Sequence, residues 1–276
     1  MMRLKLNFST CPNDTFMFGA LVLGKIDTRG LQFDVHLADI DELNKSAEQG
    51  IPDISKLSYG AVPFVANNYQ LLTSGSALGN GVGPLVVSKR KIYSDEIPFA
   101  RIALPGDHTT AHLLFNLAYP NVAGKKFYLF SDIMDVVISN AADVGVIIHE
   151  SRFTYEQKGL LKIADLGDFW ETKTGLPTPL GGILVRRDFS DELKYTMNQL
   201  VKESIEYAFN NPKEIMGYVT QYAQEMDRDI MQKHIDLYVN KYSLDLGENG
   251  KLAVVELLKS SDRLSHDFDV SNFFVG

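Results

Sequence analysis

Short apolar strands alternate with helices from residue 3 to residue 159, and this alternation limits the folds that the chain can adopt. Residues 3–9 alternate between apolar and polar side chains, which is typical of a half-buried strand. A helix is predicted from about Thr15 to Leu23, with Asp14 as its N-terminal cap and Gly24 at its end. Strands that alternate with helices indicate parallel βαβ units and therefore an α/β protein. Further strands are predicted at 31–37, 53–57, 101–104 and 144–149, and further helices at 41–49, 58–67, 109–119 and 153–159.

Two similar apolar segments suggest that the chain leaves one lobe and later returns to it. They read GVGPLVVSK (81–89) and PLGGILVRR (179–187), and glycine and proline introduce both. A chain of 276 residues is long enough for two lobes. We therefore predict a discontinuous first lobe, formed by 1–87 and 185–276 and containing C-terminal helices, and a second lobe formed by 88–184.

Charge and cysteine content argue against several classes of function. The chain has 35 acidic and 27 basic residues, a formal net charge of −8, and no block of lysine and arginine. A nucleic-acid partner is not expected, because neutralising phosphates requires a basic face. The single cysteine, Cys11, excludes an internal disulfide and a thiolate zinc cluster.

The sequence also carries no signal for a membrane. No segment approaches the roughly 20 apolar residues that cross a bilayer. The N-terminal residues lack the apolar stretch of a signal peptide. We therefore expect a soluble cytoplasmic protein without a membrane partner, and the sequence is compatible with an oligomer.

Four strand-to-helix junctions hold the candidate functional residues. Ligands of open α/β sheets bind at the carboxyl ends of the strands, where helix N-termini favour anions. If the two lobes face each other, the junctions converge on one cleft. The junctions lie at 9–15, 56–60, 105–111 and 149–153.

His149 is the strongest candidate for a catalytic base. It follows the apolar run VGVII, so the end of a strand would hold it rigidly. An unperturbed imidazole titrates at about pH 6.5 and accepts a proton at neutral pH. The alternative interpretation is a partly buried histidine that bonds to a neighbouring loop.

Thr109 and Thr110 place two hydroxyls at the start of a helix, where they are suited to hold a carboxylate. Simple capping of that helix is the alternative. At the junction 56–60, Ser58 is suited to cap a helix and Lys56 to add positive charge. A lysine in this position is otherwise a solvated surface residue.

Cys11, Asn13 and Asp14 are candidates for the wall of the cleft. Asn13 and Asp14 first serve the turn and the cap of the following helix. A helix N-terminus lowers the pKa of a thiol, so a nucleophilic Cys11 is one interpretation, and a small buried apolar residue is the other. His108 and His112 lie four residues apart, but no third ligand accompanies them, so no metal is expected.

The same junctions resemble a known enzyme family. The segments STCPNDTF, KLSYGA, GDHTTA and VGVIIHESRFTY occur in this order and TGLPTPLGGI follows them. Together they resemble 1,4-dihydroxy-6-naphthoate synthase, an enzyme of the futalosine route to menaquinone, over nearly the whole chain. The family usually opens with Ser-Pro-Cys-Pro-Asn-Asp-Thr-Phe. Thr10 replaces the first proline here, which changes the stiffness of the turn but no charged group.

The resemblance implies a two-lobed fold like the periplasmic binding proteins of the second type, with a ligand cleft between the lobes. The implied reaction cleaves cyclic dehypoxanthinyl futalosine, a small-molecule carboxylate, to 1,4-dihydroxy-6-naphthoate and a three-carbon fragment. It implies no metal and no organic cofactor. The proton-abstracting histidine of the family falls on His149, and its substrate-binding residues fall on Lys56, Leu57, Ser58, Thr109 and Thr110.

Three alternatives remain open at this point. Chorismate dehydratase of the same pathway shares the fold, although the Cys-Pro-Asn-Asp junction and the segment IIHE favour the synthase. A non-catalytic protein of the same fold that binds a small anion is the second. A cysteine-dependent hydrolase, which thiol alkylation would inactivate, is the third.

Overall fold

The computed structural model describes residues 2–223, 227–265 and 268–275. The chain divides into two compact units. Unit 1 is formed by Met1–Gly79 together with Pro179–Gly276, and unit 2 by Asn80–Thr178. None of the helices in the described ranges is long and apolar enough to cross a bilayer.

The strands and helices in these ranges are numbered in chain order. The strands are β1 (Met2–Ser9), β2 (Leu31–Ala38), β3 (Ile54–Ser58), β4 (Tyr69–Leu72), β5 (Ala77–Gly79), β6 (Leu85–Ser88), β7 (Ile102–Leu104), β8 (Lys125–Phe127), β9 (Val144–Ile147), β10 (Leu161–Asp165), β11 (Thr178–Arg186) and β12 (Phe274–Val275). The helices are α1 (Pro12–Val22), α2 (Ile40–Glu48), α3 (Val62–Val65), α4 (Thr110–Ala118), α5 (Ile133–Ile138), α6 (Ser151–Thr154), α7 (Leu166–Thr174), α8 (Asp191–Asn210), α9 (Pro212–Tyr222), α10 (Arg228–Tyr238), α11 (Lys241–Leu244) and α12 (Gly247–Lys259).

Unit 1 is built on a mixed sheet in the order β12-β4-β11-β3-β1-β2, with β5 beside β11. Strand β1 runs parallel to β2 and β3, with Leu6 opposite Ile54. Strand β11 runs antiparallel to β3 and β4. Because β1 and β3 are parallel, the junctions that follow them lie at the same edge of the sheet.

Unit 2 is built on a smaller sheet in the order β10-β6-β9-β7-β8. Strand β7 runs parallel to β8 and β9, whereas β6 runs antiparallel to β9 and β10. The carboxyl ends of β7 and β9 therefore share one edge, and the junctions 105–110 and 148–151 follow them there.

The boundaries predicted at 87/88 and 184/185 differ from those of the structure. The divisions fall at 79/80 and 178/179. Strand β6, assigned mostly to the first lobe from the sequence, pairs with β9 and β10 in the sheet of unit 2. Strand β11, assigned mostly to the second lobe, pairs with β3 and β4 in the sheet of unit 1. Backbone pairing, which the sequence does not reveal, moves both boundaries.

Three predicted elements are also shorter than expected. The helix predicted at 153–159 is wrong, since the chain forms the four-residue α6 (Ser151–Thr154) and then a turn over 155–159. The strand predicted at 144–149 ends at Ile147, so His149 lies beyond it in a turn. In place of a helix at 58–67, the chain forms a 3₁₀ turn at Tyr59–Ala61 and the four-residue α3.

Helix α1 forms the centre of the core of unit 1. It is buried on every side from Pro12 to Leu21 and packs against α8, α9 and α10. The hydroxyl of Ser204 on α8 donates to the carbonyl of Met17 at 2.6 Å and accepts from the backbone N–H of Leu21 at 3.1 Å. This contact fixes α1 against α8, and with it the N-terminal end of α1.

We expect Gly19→Val to lower the free energy of unfolding by about 1–3 kcal/mol, because overpacking strains a close-packed core. A Cβ at Gly19 would lie 2.6 Å from Cγ2 of the buried Ile215. Urea unfolding measures the change. The matched control is Gly217→Val in α9, where nothing lies within 4 Å of the added carbon, so a change within about 0.5 kcal/mol is expected. Equal losses at both positions would contradict this account.

Candidate functional site

The turn between β1 and α1 holds a buried carboxylate. Cys11 is the N-terminal cap of α1 through its extended backbone, and its carbonyl accepts from the N–H groups of Asp14 and Thr15 at 3.1 Å. Asp14 is therefore not the cap, as the sequence suggested, but a residue of the first turn. Pro12 sets this register, because proline is favoured at the first helical position. The Asp14 carboxylate points back to β1 and accepts from the hydroxyl of Ser9 at 2.6 Å.

An ion pair joins this turn to the end of β3. The Lys56 Nζ lies 2.8 Å from Oδ1 of Asp14, and the two side chains are only 5% and 2% exposed. Lys56 is thus not a solvated surface lysine. The same Oδ1 accepts from Nδ2 of Asn13 at 2.8 Å. These charge-assisted hydrogen bonds offset the cost of burying two charges, and they leave Lys56 and Asp14 neutralised by each other.

His234 on α10 extends this network. Its Nε2 lies 2.9 Å from Oδ1 of Asn13. Because the amide of Asn13 donates through Nδ2 to Asp14, its Oδ1 is the acceptor and Nε2 of His234 carries the proton. Sequence reasoning did not single out His234. The available signal was helical spacing, because His234 lies on the buried face of α10 with Met231, Ile235 and Tyr238.

Ser58 ends β3 and is held by α2. Its backbone N–H donates to Oδ1 of Asn44 at 3.0 Å, and Nδ2 of Asn44 donates to its hydroxyl at 3.2 Å. The hydroxyl does not cap the following 3₁₀ turn, as the sequence had suggested. Leu57 is fully buried. Two bonds from one amide side chain thus fix both backbone and side chain of Ser58.

Tyr59, the next residue, is fully buried and does not act as an acid or base near neutral pH. Its hydroxyl lies 2.8 Å from the hydroxyl of Ser76. Burial raises the pKa of Tyr59 well above its usual range, and the bond to Ser76 lowers it only in part. Gly182 on β11 leaves room for the ring, since a Cβ there would lie 2.9 Å from the phenolic oxygen.

In unit 2, Thr109 caps α4. Its hydroxyl accepts from the backbone N–H of His112 at 3.2 Å and donates to the carbonyl of Gly106 at 2.9 Å. Gly106 has a φ of 141°, a conformation that favours glycine. Thr110, the first residue of α4, is buried. The capping interpretation therefore holds for Thr109, whose hydroxyl closes the turn on both sides.

His149 lies in a turn between β9, which ends at Ile147, and α6, which begins at Ser151. Its φ is +55°, a left-handed conformation that is uncommon for residues other than glycine. Its ring is half-buried and packs edge-on against Phe130, with 4.8 Å between the centroids. Backbone strain of this kind clusters at functional sites, where the surrounding structure holds it in place.

Arg152 fastens the segment that follows His149. Its guanidinium donates to the carbonyl of Gly83 and, at 2.8 Å, to the carboxylate of Asp165. Asp165 also accepts from the N–H of Gly167 as the cap of α7. Gly83 lies just before β6, in the segment 81–89 that glycine and proline introduce. Here it permits close approach, because a Cβ would lie 2.0 Å from the backbone nitrogen of Gly167.

We expect the Lys56–Asp14 pair to show strong non-additivity. Asp14→Asn or Lys56→Met leaves one charge buried without its partner, which costs about 3–5 kcal/mol of unfolding free energy. The double variant Asp14→Asn/Lys56→Met removes both charges, so we expect it to lose less than the sum of the two single losses. Urea unfolding of the four proteins measures the coupling, and strictly additive losses would contradict the ion pair.

Comparison with known proteins assigns the chain to a family. The profile of a family described as "Menaquinone biosynthesis" matches residues 4–262. A protein of Thermus thermophilus named 1,4-dihydroxy-6-naphtoate synthase is 42% identical over 262 residues, which are 95% of each chain. A protein of Streptomyces coelicolor with the same name is 40% identical over 260 residues, which are 92% of this chain and 91% of the relative.

Solved structures support the fold. Protein AF1704 from Archaeoglobus fulgidus has a TM-score of 0.88 at 32% identity and covers 94% of this chain and 96% of its own. The periplasmic aliphatic sulphonate binding protein SsuA from Escherichia coli has a TM-score of 0.68 at 8% identity, over 99% of this chain and 92% of its own, a likeness of fold alone. The predicted α/β, periplasmic-binding-protein-like fold is confirmed. The chain belongs to the menaquinone biosynthesis family.

Proposed function

We propose that this protein is a 1,4-dihydroxy-6-naphthoate synthase that cleaves cyclic dehypoxanthinyl futalosine. Two relatives that share 40% and 42% of their residues with it, over more than nine tenths of the chain, carry that name. The observation that carries the proposed mechanism is the left-handed turn that holds His149 just beyond β9. The proposed reaction needs no metal or organic cofactor.

In the proposed mechanism, His149 removes a proton from a carbon next to a carbonyl group. The carbon–carbon bond to the three-carbon fragment then breaks, and the fragment leaves with the bonding electron pair and takes back the proton from the protonated His149. The remaining ring becomes aromatic, which makes the reaction strongly downhill. One well-placed base contributes roughly 10²- to 10⁴-fold to such a step. The edge-on contact with Phe130 and the fixed turn support this role, because they restrict the orientation of the imidazole ring.

The proposed substrate contacts follow from the same junctions. Helix α4 begins at Thr110, and the positive end of a helix dipole favours a carboxylate. Thr109 supports this end of the helix through its cap rather than through a free hydroxyl. At the end of β3 we propose that the substrate contacts the backbone of Lys56 and Leu57 and the hydroxyl of Ser58. The Lys56 ammonium is not a proposed contact, because it is already paired with Asp14.

The decisive test mixes the purified protein with cyclic dehypoxanthinyl futalosine and, separately, with chorismate, without added cofactor, and follows the products by mass spectrometry. Naphthoate from the first substrate alone supports the proposal. Product from chorismate alone would make the protein a chorismate dehydratase. Tight binding of either compound without turnover would make it a binding protein and overturn the catalytic role of His149.

We expect His149→Ala to lower kcat by roughly 10²- to 10⁴-fold, because it removes the base. His149→Asn should be equally slow. Asparagine tolerates the left-handed conformation. A loss of activity in His149→Asn would therefore result from the missing imidazole and not from a changed backbone. The matched control is His36→Ala, which removes an exposed histidine from β2 and should retain wild-type kcat. Full activity of His149→Asn with saturating substrate would refute the assignment.

A further inference from the structure

A chain of hydrogen bonds in unit 2 runs from β8 to the turn before α4. The Lys125 Nζ donates to Oδ1 of Asn116 at 2.8 Å. Nδ2 of Asn116 lies 2.9 Å from Nε2 of His112. The other ring nitrogen, Nδ1 of His112, lies 2.7 Å from the carbonyl oxygen of Asp107. The chain therefore links a half-buried ammonium on β8 to the backbone of the turn 105–110.

The direction of each bond follows from its donors. An ammonium has no acceptor, so the amide oxygen of Asn116 must face Lys125 and the amide nitrogen must face His112. That nitrogen donates, so Nε2 of His112 accepts and bears no proton. Nδ1 then carries the proton and donates to the Asp107 carbonyl. The ring of His112 is thereby a neutral imidazole of defined tautomer.

The charges around the ring make this state depend on Lys125. The Asp107 carboxylate lies 3.2 Å from Nδ1 of His112 and by itself favours a protonated ring. The same carboxylate lies 3.6 Å from Nε2 of His108. A proton on Nε2 of His112 would face the amide N–H of Asn116, and the amide cannot turn round without presenting N–H groups to the Lys125 ammonium.

His112 holds the turn at two points. Its backbone N–H donates to the hydroxyl of Thr109, which in turn donates to the carbonyl of Gly106. Its ring holds the carbonyl of Asp107. The ring itself is buried and packs edge-on against Phe127, with 5.2 Å between the centroids. The conformation of the turn thus depends on which ring nitrogen of His112 carries the proton.

We propose that Lys125, through Asn116, locks His112 as the neutral Nδ1–H tautomer, and that His112 is thereby a positioning residue for the start of α4. This part of the proposal concerns the folded protein without substrate. Its consequence for substrate binding rests on the proposed function, because it acts through the Thr109 and Thr110 end of α4. Lys125 and Asn116 touch no proposed substrate group.

The lock is tested by ¹⁵N NMR of the histidine ring nitrogens in the free protein. In the wild type we expect His112 to keep the Nδ1–H form over the range, around pH 6.5, in which an unperturbed imidazole gains its second proton. Lys125→Met releases Asn116, whose oxygen then turns to accept from Nε2, so His112 should gain a second proton in that range. The matched control is Lys126→Met, the exposed neighbour on β8, which should retain the wild-type signals. An unchanged tautomer and titration in Lys125→Met would overturn the lock.

The positioning role is tested by steady-state kinetics with cyclic dehypoxanthinyl futalosine. We expect Lys125→Met to raise KM about threefold to tenfold, the effect of one lost hydrogen bond, with kcat nearly unchanged. Lys126→Met should retain both constants. An altered His112 signal with unchanged KM would overturn the positioning role. If the wild type turns over no substrate, the proposed function fails, while the NMR experiment still decides the lock.

Discussion

The buried pair of Lys56 and Asp14 is the interaction on which the rest of unit 1 depends. It joins the first turn of α1 to the end of β3, two segments 42 residues apart. Ser9 connects the Asp14 carboxylate to β1. Asn13 connects the same carboxylate to His234 on α10. A single carboxylate therefore organises four elements around the carboxyl ends of two parallel strands.

In unit 2, different groups fix the turns that follow the parallel strands. At the junction after β7, the groups that fix the turn are a hydroxyl, an imidazole ring and backbone carbonyls. There the turn is closed by the Thr109 cap and by the ring of His112. After β9, the His149 turn is followed by the Arg152–Asp165 pair. Both units thus hold the junctions by polar bonds, since the backbone of a turn leaves some of its polar groups without a backbone partner.

Local features of the sequence predicted much of this structure. The alternation of residues 3–9 and the apolar run before His149 correctly marked β1 and β9, because periodicity reports which faces are buried. The place of β11 between β3 and β4 was not predictable, since antiparallel pairing between distant segments leaves no local pattern. His234 was missed for the same reason, because its partner Asn13 lies 221 residues away.

The order of strands in unit 1 also bears on how the chain folds during synthesis. Strand β11 lies between β3 and β4, so the sheet of the first 79 residues stays incomplete until residues 178–186 have left the ribosome. Unit 2 is continuous in sequence and emerges whole before that point. The inserted unit can therefore fold first. Until β11 is available, the sheet of unit 1 lacks its central strand, and its open edge is exposed to aggregation and chaperone binding.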